Sequence, residues 1–194
     1  MNQVQIVALC GSLRVPSFNL SALQLAAEGT RSAGASVTVL TGRDLPGEPF
    51  DPATAYNNPP DSAAKLVNLC KEAAGFLWAS PAYHGTISGL FKNALDYLDL
   101  LRNSQAPFLT GKPVGIISVG SGMMAVVNAT NTMVFAAHAL RAKPLPMLMP
   151  IGMADSCFSS GGECHDPLLR QRLLALGTEV ARAAIAFKRD QQAE

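Results

Sequence analysis

Gly11-Ser12-Leu13-Arg14-Val15-Pro16-Ser17-Phe18-Asn19 gathers two serine hydroxyls, an asparagine amide and a guanidinium in one short stretch. Ser12, Ser17 and Asn19 can donate hydrogen bonds, and Arg14 adds charge in fork geometry, so the chemistry they suit is the grip of an anion. The stretch follows Val4-Gln5-Ile6-Val7-Ala8-Leu9, which reads as a buried strand, and precedes Leu20-Ser21-Ala22-Leu23-Gln24-Leu25-Ala26-Ala27, which reads as a helix. A strand–turn–helix junction leaves backbone N–H groups unpaired at the helix start and aims the positive end of its dipole at the turn. The turn lacks the Gly-x-x-x-x-Gly-Lys-Ser/Thr of nucleoside triphosphatases and the three-glycine dinucleotide fingerprint. It is sized for one monophosphate ester held by side chains, not for a pyrophosphate. The same residues also read as a plain helix N-cap, Ser17, beside a surface arginine, and local spacing leaves both readings open.

Two further loops carry candidate binding groups. In Ser80-Pro81-Ala82-Tyr83-His84-Gly85, Pro81 ends a strand, while Tyr83 and His84 offer flat faces with polar tips. Gly85 permits close backbone approach, and the loop suits the edge of a planar heterocycle. A loop histidine and tyrosine are equally consistent with plain surface residues. Ser88 can cap the next helix, whose Leu90, Ala94, Tyr97, Leu98 and Leu101 form an apolar stripe, with Lys92 and Asp96 four apart on another face. Ser118-Val119-Gly120-Ser121-Gly122 is the other loop. Its two glycines flanking a serine bring backbone near a ligand, or simply make a turn before a helix.

What places these loops together is the alternation of elements. Short apolar runs at Val4–Leu9, Ser36–Leu40, Gly75–Ala79, Val114–Val119 and Lys143–Leu148 read as strands, the last an edge strand because of its prolines. Helical patterns near 17–33, 61–73, 88–102, 123–140 and 166–189 lie between and after them. Five β-α units predict an α/β three-layer fold, a five-stranded parallel sheet in order 2-1-3-4-5 with helices on both faces. Ligands of such sheets sit at the carboxyl ends of the strands near the order reversal, so the loops after strands one, three and four are the ones that converge. Asp44 to Pro60, rich in proline, asparagine and acidic residues, reads as a long loop with a role in function or subunit contact.

Composition sets the outer bounds. The 194 residues suffice for one domain over 1–194, with no composition shift, repeat or low-complexity tract. A net charge of +1 favours neither nucleic acid nor anionic membrane as partner, and no apolar run approaches the ~18 residues of a membrane span. Hydrophobic content of 48% and a mean hydropathy of +0.20 predict apolar surface covered by another subunit. Met1-Asn2-Gln3-Val4 runs directly into the first strand without a cleavable leader, so a cytoplasmic location is expected. Cys10, Cys70, Cys157 and Cys164 form no metal-ligand spacing. Cys10 and Cys70 are expected as packed thiols, Cys157 and Cys164 as a free, exposed pair in a Ser/Gly-rich loop. Three residues between Cys10 and Arg14, where a tyrosine phosphatase loop needs five, exclude that mechanism.

On these motifs the chain resembles the NADPH-dependent FMN reductases of the flavodoxin-like superfamily. The first turn is similar to that family's Gly-Ser-x-Arg-x-x-Ser-x-Asn, through Gly11, Ser12, Arg14, Ser17 and Asn19. The middle segment matches the family's pattern at Pro81, Tyr83, His84, Phe91, Lys92, Asn93, Ala94 and Asp96, and the serine-glycine loop at Ser118, Gly120 and Gly122. The resemblance spans Val4 to about Pro150. It implies FMN as cofactor with NADPH or NADH as reductant, and hydride transfer onward to a quinone, azo compound, metal oxyanion or free flavin. It places Ser12, Arg14, Ser17, Phe18 and Asn19 at the FMN phosphate. It places Pro81, Ala82, Tyr83, His84 and Gly85, with Ser118, Gly120, Ser121 and Gly122, at the isoalloxazine ring. The cofactor carries this chemistry, so no catalytic side chain is named and His84 is expected as an environment residue only. The resemblance further implies a homodimer or homotetramer, with the Asp44–Pro60 segment reaching the neighbouring flavin. Many members of the family have asparagine, proline and a glycine pair where this chain has His84, Gly89 and Met123-Met124, and the methionines are expected to narrow access over the flavin. Residues 150–165 have no counterpart. The alternative is a flavodoxin-type electron carrier without NAD(P)H activity, which a net charge of +1 disfavours because carriers dock through strong charge complementarity.

Overall fold

The computed structural model describes residues 3–193, so Met1 and Asn2, on which the expectation of no cleavable leader partly rests, lie outside the described residues. Strand alternation builds the core. In β1 (Gln5–Cys10), Ile6, Ala8 and Cys10 face one side of the sheet and Val7 and Leu9 the other. β2 (Ser36–Leu40), β3 (Gly75–Tyr83), β5 (Pro113–Val119) and β6 (Lys143–Ile151) join it in parallel, in the order β2-β1-β3-β5-β6. A two-residue strand, β4 (Thr86–Ile87), pairs antiparallel with β3 off this path. With β4 set aside, the order is the 2-1-3-4-5 anticipated from the sequence. α1 (Phe18–Ser32) and α6 (Pro167–Ala193) cover the Ile6 face; α3 (Asp61–Glu72), α4 (Gly89–Asp96) and α5 (Met123–Ala139) cover the Val7 face. The result is three layers with two cores.

Four details depart from the sequence reading. Pro81 does not end its strand: β3 continues to Tyr83, with Pro81 opposite Val119. Gly11 N–H bonds to Ala79 O at 2.8 Å, so by alternation the nitrogen of Pro81 faces the same side, past the end of β1, where the missing donor breaks no ladder bond. Second, the helix expected over 88–102 is α4 followed by a tighter 3₁₀ turn, Tyr97–Leu101. Third, Asp44–Pro60 is not all loop. It contains α2 (Pro52–Ala55), capped by Asp51, whose carboxylate accepts from Ala53 N–H at 2.9 Å. Asn93 pins this segment to α4: its amide donates to Pro46 O (3.0 Å) and Glu48 O (2.8 Å) and accepts from Phe50 N–H (2.8 Å). Fourth, Leu95, off the expected stripe, is buried with Leu98 and Leu101, whereas Leu90 of the stripe is only half-buried, as is Leu100. The Lys92–Asp96 pair and the Ser88 cap are present as read.

The thiols divide by depth. Cys10 and Cys70 are buried as expected, but Cys157 and Cys164 are half-buried, unpaired and packed against the core around Phe158. At the amino edge of the sheet, Lys112 Nζ donates to Cys70 O (2.9 Å) and Lys71 O (2.8 Å), closing the last turn of α3 with a cation at the negative end of its dipole.

Burial pushes the Cys70 thiol from 9.0 up to about 12. The folded pKa stands above the unfolded one, so this contribution to stability is complete below pH 9 and drains away as pH rises toward 12. Urea unfolding at pH 7 and about pH 10.5 should show a loss of about 2 kcal/mol from this group. Cys70→Ala should flatten that share of the slope; an unchanged slope would assign the alkaline loss elsewhere.

Candidate functional site

The amino end of α1 sets the site. Ser17 is extended and caps the helix: its Oγ accepts from Leu20 N–H at 3.2 Å, and its carbonyl accepts from Ser21 N–H at 2.9 Å. The N–H groups of Phe18 and Asn19 find no acceptor among the described residues. They point outward with the positive end of the helix dipole. Ser12 Oγ accepts from Arg14 N–H at 3.3 Å, which tightens the turn and leaves the Arg14 side chain exposed beside it. The cap reading of Ser17 holds, and because the oxygen caps with a lone pair, the cap does not use the hydroxyl proton.

These groups form one end of a cavity of about 390 Å³, inside the ~300–1,000 Å³ usual for small-molecule sites. Ten residues expected at the site line it: Ser12, Arg14, Ser17, Phe18 and Asn19; Pro81, Ala82 and Tyr83; Gly120 and Ser121. Among the lining residues, Arg14 is the only cation and Asp155 the only anion.

Four expected residues do not line it. Ser118 is fully buried and donates its hydroxyl to Ser80 O at 2.9 Å, a strand-to-strand staple. His84 and Gly85 form the tip of a hairpin between β3 and β4, with φ of 50° and 83°. Positive φ at both central residues is the type I′ geometry, which glycine adopts without strain. Gly122 caps α5 through its backbone, without a side-chain bond. Asn19 lines the cavity, yet its amide is spent: Nδ2 donates to Val119 O at 3.0 Å and Oδ1 accepts from Val119 N–H at 3.1 Å. What it can offer a ligand is its main-chain N–H.

Pro16, Val119, Ala154 and Asp155 complete the wall and were not singled out. The strand-end rule applied to the last strand would have found the latter two. The turn after β6 is laced to the loop after β5: Gly120 N–H bonds to Ile151 O (3.0 Å), Met153 N–H to Ser121 O (3.0 Å) and Ala154 N–H to Gly120 O (3.2 Å). The other loops are joined beneath the cavity. Ser88 Oγ donates to Gly11 O (2.8 Å), and Ser88 N–H donates to Ser80 Oγ (3.0 Å). Gly11 is held so tightly there that a Cβ would lie 2.6 Å from Phe91 Cβ and 2.8 Å from Ser88 Oγ. Cys10, just before this turn, is the packed thiol expected: it is fully buried, and burial pushes its thiol up.

Both the sequence and this topology have counterparts among known proteins. The family model for NADPH-dependent FMN reductase matches residues 4–155. The chain belongs to the NADPH-dependent FMN reductase family. It is 30% identical to a NAD(P)H-dependent FMN reductase of Pseudomonas aeruginosa over 193 residues, 93% of this chain and 97% of that one. It is 27% identical to a quinone reductase of Pseudomonas putida, over 86% and 88% of the two chains. In fold it is similar to FerB, a flavoenzyme NAD(P)H:(acceptor) oxidoreductase from Paracoccus denitrificans, at a TM-score of 0.76 and 17% identity, covering 94% and 98%. The chain is thus an oxidoreductase, using FMN with NAD(P)H as reductant. No helix among the described residues is long and apolar enough to cross a membrane.

If Asn19 is a staple, its replacement acts on the fold before it acts on a ligand. Asn19→Asp keeps an acceptor for Val119 N–H but sets a carboxylate against Val119 O. The ligand-free protein should lose about 2–3 kcal/mol in urea unfolding. Unchanged stability with weakened flavin binding would instead turn the side chain toward the ligand.

Proposed function

We propose that residues 1–194 act as one reductase domain in which FMN occupies the 390 Å³ cavity, its phosphate at the amino end of α1. The observation that carries this is the donor set. Two unpaired backbone N–H groups, the hydroxyls of Ser12 and Ser17 and one guanidinium meet at a single end of the cavity, with no second cation for a second phosphate. Pro81, Ala82 and Tyr83 face Gly120 and Ser121 across the remainder and would hold the flat ring. Bound there, FMN supplies the hydride acceptor for NAD(P)H and the electron donor to a second substrate. The protein binds, orients and excludes water; no side chain need act as acid or base, and His84 stands at a hairpin tip outside the lining. A quinone is the acceptor class we favour, in keeping with the relative named for it. The carrier reading has less support, since the matching family and relatives are reductases and the net charge is only +1.

Arg14→Ala should weaken FMN by about 1.5–3 kcal/mol, the range for hydrogen bonds to charged groups, and leave riboflavin almost unchanged. Fluorescence titration with both flavins decides it; an equal loss for both would move the phosphate elsewhere.

We further propose a cytoplasmic homo-oligomer. The four unpaired cysteines suit a reducing compartment. Met124 and Phe135 of α5 are 75% and 76% exposed and lie on one helical face, a surface suited to a second copy. Light scattering should give a mass above the 20.4 kDa of one chain, and Phe135→Asp should reduce it to one chain. A wild-type species of one chain at micromolar concentration would overturn this.

A further inference from the structure

The segment after β6 begins in the cavity wall, at Ala154 and Asp155, and continues to the first turn of α1. At its start, Ala154 is bonded to Gly120 O, beside the Pro81–Tyr83 wall. Four residues on, Phe158 stacks on Phe18 at the opposite end, with ring centroids 5.3 Å apart and planes 12° apart. Gly162 continues past it, with Pro16 and Ser21 the nearest neighbours of the site a Cβ would take. Of the residues between these two anchors, only Asp155 lines the cavity. Its carboxylate is exposed and makes no hydrogen bond or ion pair among the described residues.

A carboxylate can only accept hydrogen bonds, so the ligand atoms that face it must be donors. The phosphate end of the cavity is defined by donors of its own, and a second anion there would be repelled. In a phosphorylated flavin the part between ring and phosphate is a polyol, whose hydroxyls are donors. In the chain Asp155 follows Ala154, bonded to Gly120 at one wall, and precedes Phe158, stacked on Phe18 at the other, and its place in the lining is on the path between the two.

We infer that Asp155 is a specificity-determining residue that accepts hydrogen bonds from the polyol hydroxyls of the bound flavin. This rests on the FMN reading above. It deepens that reading by giving the selection of the sugar-alcohol chain to a residue separate from the phosphate end. Recognition is thereby split: Arg14 senses whether a phosphate is present, and Asp155 senses whether a hydroxylated chain leads to it.

The test is fluorescence titration of the flavin-free protein with riboflavin and with FMN, both of which carry the polyol. Asp155→Ala should weaken both by the same factor, about tenfold, the size expected for hydrogen bonds to a charged acceptor. Asp155→Asn, whose amide oxygen still accepts, should recover part of the loss. Lumiflavin, a flavin ring without polyol or phosphate, should bind wild type and Asp155→Ala alike. Both variants should unfold at the wild-type temperature, because the carboxylate holds nothing in the fold. A change confined to FMN would place Asp155 at the phosphate and overturn the inference; so would unchanged binding of both flavins, or a lumiflavin loss equal to theirs. Wild-type protein that binds neither riboflavin nor FMN would overturn the FMN reading itself.

Discussion

Ser88 Oγ sits between Gly11 O, to which it donates at 2.8 Å, and Phe91 N–H, which it caps at 3.2 Å. Through its own N–H it also holds Ser80 Oγ, and Ser80 O in turn accepts from Ser118 Oγ. Gly11 closes the pattern by donating to Ala79 O. Each of these serines is almost fully buried, where an unmet polar group costs about 1–3 kcal/mol. The bonds therefore fix one another, and they fix three strand ends. The anion turn, the β3–β4 hairpin and the loop after β5 can hold a common ligand because their backbones are joined beneath it.

A second consequence is that several side chains of the motif are engaged in bonds within the protein. Ser17 caps α1, Asn19 ties α1 to the end of β5, and Ser118 ties β5 to β3. What they leave open is main chain. With Leu20 N–H taken by Ser17, the free donors of the first turn are those of Phe18 and Asn19. Donors fixed in a helix need no reorganisation when an anion arrives, so binding costs less ordering there than flexible side chains would demand.

The layered fold was legible because its signals are periodic. Apolar strands alternate with helices of matching length, and the prolines of β6 mark an edge as they should. The turn before α1 was legible as a helix cap, because Ser17 is of a residue type that caps. The β3–β4 hairpin was not, although His84-Gly85 between Tyr83 and Thr86 is a two-residue turn with a glycine in it. Pro81 was read as a stop because a proline inside a parallel strand ordinarily removes a ladder bond; only the length of β1 shows that here it does not. The change from α4 to a 3₁₀ turn at Tyr97 has no clear sequence mark, so the segment read as one helix over 88–102.

The course of the chain beyond Asp155 was illegible for a different reason. Residues 152–165 have no hydrophobic period, and their placement depends on partners distant in sequence: backbone bonds to Gly120 and Ser121, and the stack of Phe158 on Phe18. The family match also ends at residue 155, so no shared pattern extends over the stretch that follows. Yet this stretch is anchored at both ends of the cavity, and its Phe158 is buried in the core. Phe18 is thereby engaged on two sides, its ring in the stack and its N–H at the anion end. Movement of the segment would shift the first turn of α1, and with it the donors that define the site.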